Sequence, residues 1–124
     1  MTPPFPTGTH MLVDYYGCRH LDDAGVIERA LVAAAKAARA TLLDIRLHHF
    51  GVSGGVTGVA LLAESHISIH TWPEHDYAAV DIFLCGDAHN PEAACAVVKA
   101  ALGAGSQKVT TLRRGHGVAM ATSK

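Results

Sequence analysis

Ser65-His66-Ile67-Ser68-Ile69-His70-Thr71-Trp72-Pro73, followed by Tyr77-Ala78-Ala79-Val80-Asp81-Ile82-Phe83-Leu84-Cys85, is the stretch on which the fold turns. Both runs repeat with a period of two, which is how a strand with one buried face reads. In the first, Ile67 and Ile69 point one way and His66, Ser68 and His70 the other. In the second, Val80, Ile82 and Leu84 share a face, and Ala79, Asp81, Phe83 and Cys85 share its opposite. Pro73 ends the first run, because it has no N–H to give to a ladder.

Upstream, Val59 to Ala63 reads as a buried strand, preceded by a glycine-rich loop from Gly51 to Gly58. No Gly-Lys-Ser/Thr ending follows that loop, so it does not cradle phosphate. Thr41 to Phe50 is another strand, in which Leu43, Ile45 and Leu47 alternate with Asp44, Arg46 and His48. Before it, Ile27, Leu31, Ala34, Ala35 and Ala38 recur at helical spacing after an N-cap at Asp22. Glu28, Arg29, Lys36 and Arg39 occupy the other side of this amphipathic helix. Thr9 to Tyr16 is the first strand, behind a proline-rich lead. Downstream, Asn90-Pro91-Glu92 opens a second helix with a capping side chain, a proline at the first position and an acid in the first turn. Its buried stripe is Ala94, Val97, Val98, Ala101 and Leu102, and Gly103 stops it. Ser106 to Leu112 supplies a last strand before a tail expected to be loose.

Strand, helix, several strands, helix, strand is the pattern of an α+β fold, a two-layer sandwich with an antiparallel sheet. Two helices cover only one face of that sheet. The other face carries His66, His70 and Cys85 among apolar neighbours, a mixture that predicts packing against a second copy or the lining of a site.

Length and composition bound the function. The chain has 124 residues, enough for one domain, with 49% hydrophobic and 17% charged residues and a formal net charge of −1. It lacks the basic stripe of a nucleic-acid binder. Met1 to Pro6 has no basic segment followed by an apolar one, so no secretion signal is expected, and no apolar run is long enough to span a membrane. Cys18, Cys85 and Cys95 are odd in number and far apart, which suits a reducing cytoplasm. Nine histidines are the compositional oddity.

His66-x-x-x-His70 brings zinc to mind. On a strand, however, four residues span about 13 Å, whereas two ligands of one zinc each lie about 2 Å from it. No metal is expected. Ser65 lacks the Gly-x-Ser-x-Gly surroundings of a hydrolase nucleophile, and nothing local marks Cys85 as one.

From Ala63-Glu64-Ser65-His66-Ile67-Ser68-Ile69-His70-Thr71-Trp72-Pro73-Glu74 through Tyr77 to Cys85, the chain resembles the prokaryotic S-adenosylmethionine decarboxylase family. Weaker similarity runs from Gly8-Thr9-His10 through Tyr16-Gly17-Cys18, the first helix and His49-Phe50. The resemblance implies a proenzyme, 1–124, that cuts itself between Glu64 and Ser65 into residues 1–64 and 65–124. The Ser65 hydroxyl would attack the preceding carbonyl to give an ester; loss of the Ser65 α-proton, taken by His70, would then release the upstream chain and leave a pyruvoyl group. An amino-acid decarboxylase needs an electron sink that no ordinary side chain provides, and a carbonyl condensed with the substrate amine is one. By the same resemblance Cys85 returns a proton to the substrate, Glu74 holds the ribose hydroxyls and Phe50 stacks on the adenine. The product would be the aminopropyl donor for polyamine synthesis, made in the cytoplasm by a homodimer with active sites near the interface.

The loop hydroxyl that assists processing in the family has two counterparts. Gly51-Val52-Ser53-Gly54 matches in letters and Val56-Thr57-Gly58 in distance from the cut site. Thr57 is favoured, since register along a strand is not easily shifted, with Ser53 the alternative. The loop also lacks a proline usual in the family and is one residue longer. Two other readings stay open: a pyruvoyl-dependent arginine or ornithine decarboxylase, with an acid such as Asp14 meeting the cationic end, and an unprocessed, non-enzymatic paralogue.

Overall fold

The computed structural model describes residues 8–86 and 88–115. The elements are β1 (Gly8–Tyr16), α1 (Ala24–Ala37), β2 (Leu42–His49), β3 (Val56–Leu62), β4 (His66–Trp72), a 3₁₀ turn (Pro73–His75), β5 (Tyr77–Cys85), α2 (Pro91–Leu102) and β6 (Ser106–Arg114). One six-stranded sheet runs in the order β2-β3-β4-β5-β1-β6, with every paired neighbour antiparallel. This is the α+β architecture the strand–helix order predicts, with both helices on one face.

Alternation decides which side chains enter the core. Ile67 and Ile69 of β4 and Ile82 and Leu84 of β5 are buried, as are Val13 and Tyr15 of β1. They meet Ile27, Leu31 and Ala34 of α1 and Val98 and Leu102 of α2. Burial pushes the Tyr15 phenol far above its usual range, and its hydroxyl donates to the Cys95 carbonyl at 2.8 Å, which joins β1 to α2. Thr71 is buried too. Its Oγ1 accepts from the Val56 N–H at 2.8 Å and donates to the Leu21 carbonyl at 2.7 Å, tying β4 to β3 and to the segment before α1.

Four local expectations shift. The N-cap of α1 is Asp23, not Asp22: Asp23 N–H donates to the His20 carbonyl, so a turn absorbs Asp22, and Asp23 Oδ1 then accepts from Val26 N–H. Leu43 does not share the inward face of Ile45 and Leu47. The register shifts between Leu42 and Asp44, and this bulge in an edge strand leaves Leu43 exposed. The glycine-rich segment becomes strand at Val56 rather than after Gly58, and β3 alternates instead of being buried throughout, with Val59 and Leu61 turned to the uncovered face. In α2, Cys95 and Pro91 are buried while Val97 and Ala101 are only partly so. Asn90 caps α2 through Ala93 N–H at 3.0 Å, and Gly103 ends it at a φ of 60°, as expected. β6 continues to Arg114. The tail after residue 115 and the proline-rich lead lie outside the described residues.

Candidate active site

The β3–β4 hairpin closes through a tight turn at Ala63 and Glu64, where Leu62 N–H donates to the Ser65 carbonyl at 2.9 Å. Thr41, just before β2, clamps this turn. Its carbonyl accepts from Ala63 N–H at 2.9 Å, its N–H donates to Glu64 Oε1 at 3.0 Å and its hydroxyl to Oε2 at 3.3 Å. The Thr41 N–H holds the Glu64 carboxyl below the usual carboxylate range. Ser65 is half-buried, with Oγ 3.5 Å from His66 Nδ1. Since His66 pairs with Phe83, Cys85 comes two residues further along β5 at the same end of the sheet, half-buried and with a free thiol.

The opposite end of β3 and β4 holds a second group. Thr57 pairs with His70, and Thr57 Oγ1 lies 3.1 Å from His70 Nδ1. A pocket of about 320 Å³ is lined by Phe50, Gly55, Thr57, His70, Trp72 and Glu74. The loop from Phe50 to Gly55 folds back on itself, with Phe50 N–H donating to the Gly55 carbonyl at 2.9 Å. Gly55 has to be glycine: a Cβ there would lie 2.1 Å from the Thr71 carbonyl oxygen. The closed loop presents Phe50, 59% exposed, to the pocket beside the edge of His48. Ser53 is exposed at the loop tip, so Thr57 rather than Ser53 stands in register with His70.

Ser65 and Cys85 thus lie together, as do Thr57, His70, Phe50 and Glu74, but the two groups are apart. His70 is five residues beyond Ser65, about 16 Å along a strand. Both groups open onto the uncovered face of the sheet, where Leu12, Val59, Leu61, Trp72 and Leu112 are exposed. Two features escape the sequence reading. Trp72 stacks on Tyr77 and Tyr77 on Tyr16, and the Tyr77 hydroxyl donates to Asp14 Oδ1 at 2.5 Å, which pushes the phenol up to about 12. His10, Asp81, His66 and Arg114 also gather on this face. Parity places Asp81 beside His66, but the pairing of β1 between β5 and β6 is a long-range fact with no local signal. No helix among the described residues is long and apolar enough to cross a membrane.

A family model described as S-adenosylmethionine decarboxylase matches residues 9–115. An S-adenosylmethionine decarboxylase proenzyme of Prochlorococcus marinus (strain MIT 9313) is 47% identical over 118 residues, 94% of each chain. One of Parasynechococcus marenigrum (strain WH8102) is 50% identical over 109 residues, 86% of this chain and 84% of its own. The crystal structure of the adenosylmethionine decarboxylase from Aquifex aeolicus superposes with a TM-score of 0.80 at 36% identity, covering 92% of this chain and 93% of that one. The chain belongs to the S-adenosylmethionine decarboxylase family.

Proposed function

We propose that this protein decarboxylates S-adenosylmethionine with a pyruvoyl group made from its own Ser65, after cutting itself between Glu64 and Ser65. The observation that carries this is the near-full-length match to proteins named as decarboxylase proenzymes, with Glu64-Ser65 in a clamped turn. The residues fit the group. The scissile bond lies in a hairpin turn whose two sides are held separately, Glu64 by Thr41 and the residues after Ser65 by the β4–β5 ladder, so cutting it releases no strand. The pyruvoyl group supplies a carbonyl that condenses with the substrate amine and draws off the electrons left when carbon dioxide departs.

The chain's own residues do the rest. The Ser65 hydroxyl attacks the Glu64 carbonyl, and His70, oriented by Thr57, removes the Ser65 α-proton. Cys85 delivers a proton to the substrate α-carbon. Phe50 stacks on the adenine and offers the cationic sulfonium a π-face, while the exposed Glu74 carboxylate accepts hydrogen bonds from the ribose hydroxyls.

One copy cannot carry out this sequence, because His70 lies too far from its own Ser65. A two-fold pairing of the uncovered faces, with the strands of the two copies running in opposite directions, sets Ser65 and Cys85 of one protomer against the pocket of the other. The exposed apolar residues of that face support it, and an interface made by the whole face should bury well over about 1,000 Å². Free thiols at Cys18, Cys85 and Cys95 suit a reducing cytoplasm, where we place the enzyme.

The arginine or ornithine alternative finds no support. Asp14, the acid it would use, is engaged by the Tyr77 hydroxyl, and the matched relatives carry the S-adenosylmethionine name. An unprocessed paralogue has no support either. The test is carbon dioxide release from carboxyl-labelled S-adenosylmethionine, arginine and ornithine. Release from the first alone is expected; release from an amino acid without the adenosyl group would overturn the assignment.

A further inference from the structure

We propose that His66 is the residue that takes the Ser65 hydroxyl proton during self-cleavage, at the end of a polar line running Arg114–His10–Asp81–His66–Ser65. The inference rests on the self-cleavage proposed above and assigns a step that His70 of the same chain cannot reach.

Donor and acceptor chemistry gives the line a direction. Arg114 Nη1 lies 3.3 Å from His10 Nδ1. A guanidinium only donates, so His10 Nδ1 accepts and the ring proton sits on Nε2. Nε2 donates to Asp81 Oδ1. The other carboxylate oxygen, Oδ2, lies 3.9 Å from His66 Nε2, which favours the proton on that nitrogen and leaves the Nδ1 lone pair free. That lone pair faces Ser65 Oγ at 3.5 Å. Both spacings exceed a closed hydrogen bond, as is common for a general base before its reacting groups close up. Phe83 holds the rings in place, with its centroid 4.9 Å from that of His10 and 6.0 Å, edge-on, from that of His66. The Arg114 guanidinium covers the same Phe83 ring at 5.0 Å.

The step balances. The Ser65 O–H bond breaks and its proton passes to His66 Nδ1, while Oγ bonds to the Glu64 carbonyl carbon. The Glu64–Ser65 C–N bond then breaks, and the departing nitrogen takes the proton back from His66. An amide becomes an ester with no net gain or loss of protons, and Asp81 stabilises the imidazolium between the two transfers. The later α-proton belongs to His70, so the two proton removals fall to different histidines.

The experiment follows the intact chain over time by denaturing mass spectrometry for wild type, His66→Ala, His66→Asn and Asp81→Asn, with circular dichroism to verify folding. Wild type should cut. His66→Ala should cut about 10²-fold more slowly or worse, and added imidazole should restore part of the rate, since the His66 side chain is 37% exposed and its vacated place is open to a small base. His66→Asn keeps an oxygen near the Nδ1 position that accepts a hydrogen bond but cannot carry the proton, so it too should cut about 10²-fold more slowly or worse; it serves if His66→Ala does not fold. Asp81→Asn should slow cleavage by a smaller factor. Cleavage of either His66 variant within about three-fold of wild type, or a loss in folded His66→Ala that imidazole does not lift, would overturn the role. An uncut wild-type chain would instead overturn the self-cleavage on which it rests.

Discussion

His70 and Cys85 sit at opposite ends of the uncovered face, and their substitutions should separate accordingly. His70 Nδ1 is held by Thr57 at 3.1 Å, an arrangement suited to making the pyruvoyl group. His70→Ala should therefore stall at the ester or stay uncut, with hydroxylamine releasing any trapped ester at Glu64. Cys85→Ala should still cut itself yet lose about 10²- to 10⁴-fold in decarboxylation, the typical cost of a missing proton donor. It should also inactivate during turnover, as protonation at the wrong carbon carries the substrate amine onto the cofactor. Carbon dioxide release alongside mass analysis checks both. Near-normal turnover by Cys85→Ala, without inactivation, would make Cys85 a packing residue. The pairing of Thr57 with His70 illustrates what letters alone could not decide. Ser53 has the matching surroundings in sequence, but only the position of β3's start, two residues before Gly58, shows which hydroxyl faces the imidazole.

At the scale of elements, β4 and β5 were legible because alternation over seven and nine residues leaves one register that buries Ile67, Ile69, Val80, Ile82 and Leu84. The caps of α2 were legible for the same local reason. The bulge at Leu43 was not, since an edge strand can expose a leucine without losing its partner. Nor was the position of β1, which enters the sheet between β5 and β6, or the separation of Ser65 and Cys85 from His70, which chain numbering compresses to a few residues. Thr71 read simply as part of a strand, whereas it is the polar joint of this region. Thr71→Val leaves the Val56 N–H and the Leu21 carbonyl buried without their partner. In the uncut Ser65→Ala background this should cost about 2–3 kcal/mol of stability by urea unfolding. A loss below about 0.5 kcal/mol, the range of neutral surface changes, would contradict the joint's importance.

For the whole molecule, the sheet order has a consequence for processing. Residues 1–64 carry β1, β2 and β3, and residues 65–124 carry β4, β5 and β6, so β1 of the first piece lies between two strands of the second. The pieces should stay together after cutting and separate only when denatured. The two-fold dimer makes a further demand. Ser65→Ala and His70→Ala chains should each remain uncut alone, but co-expressed they should cut the His70→Ala chain through the partner's His70. Failure of this complementation, or a monomer by sedimentation at micromolar concentration, would contradict the shared site. Self-cleavage underlies all of these steps, and the intact mass of the purified protein under denaturing conditions tests it most directly. Two chains are expected, residues 1–64 and a blocked chain of 65–124 that reacts with carbonyl reagents; a single whole chain after long incubation, inert to those reagents, would contradict it.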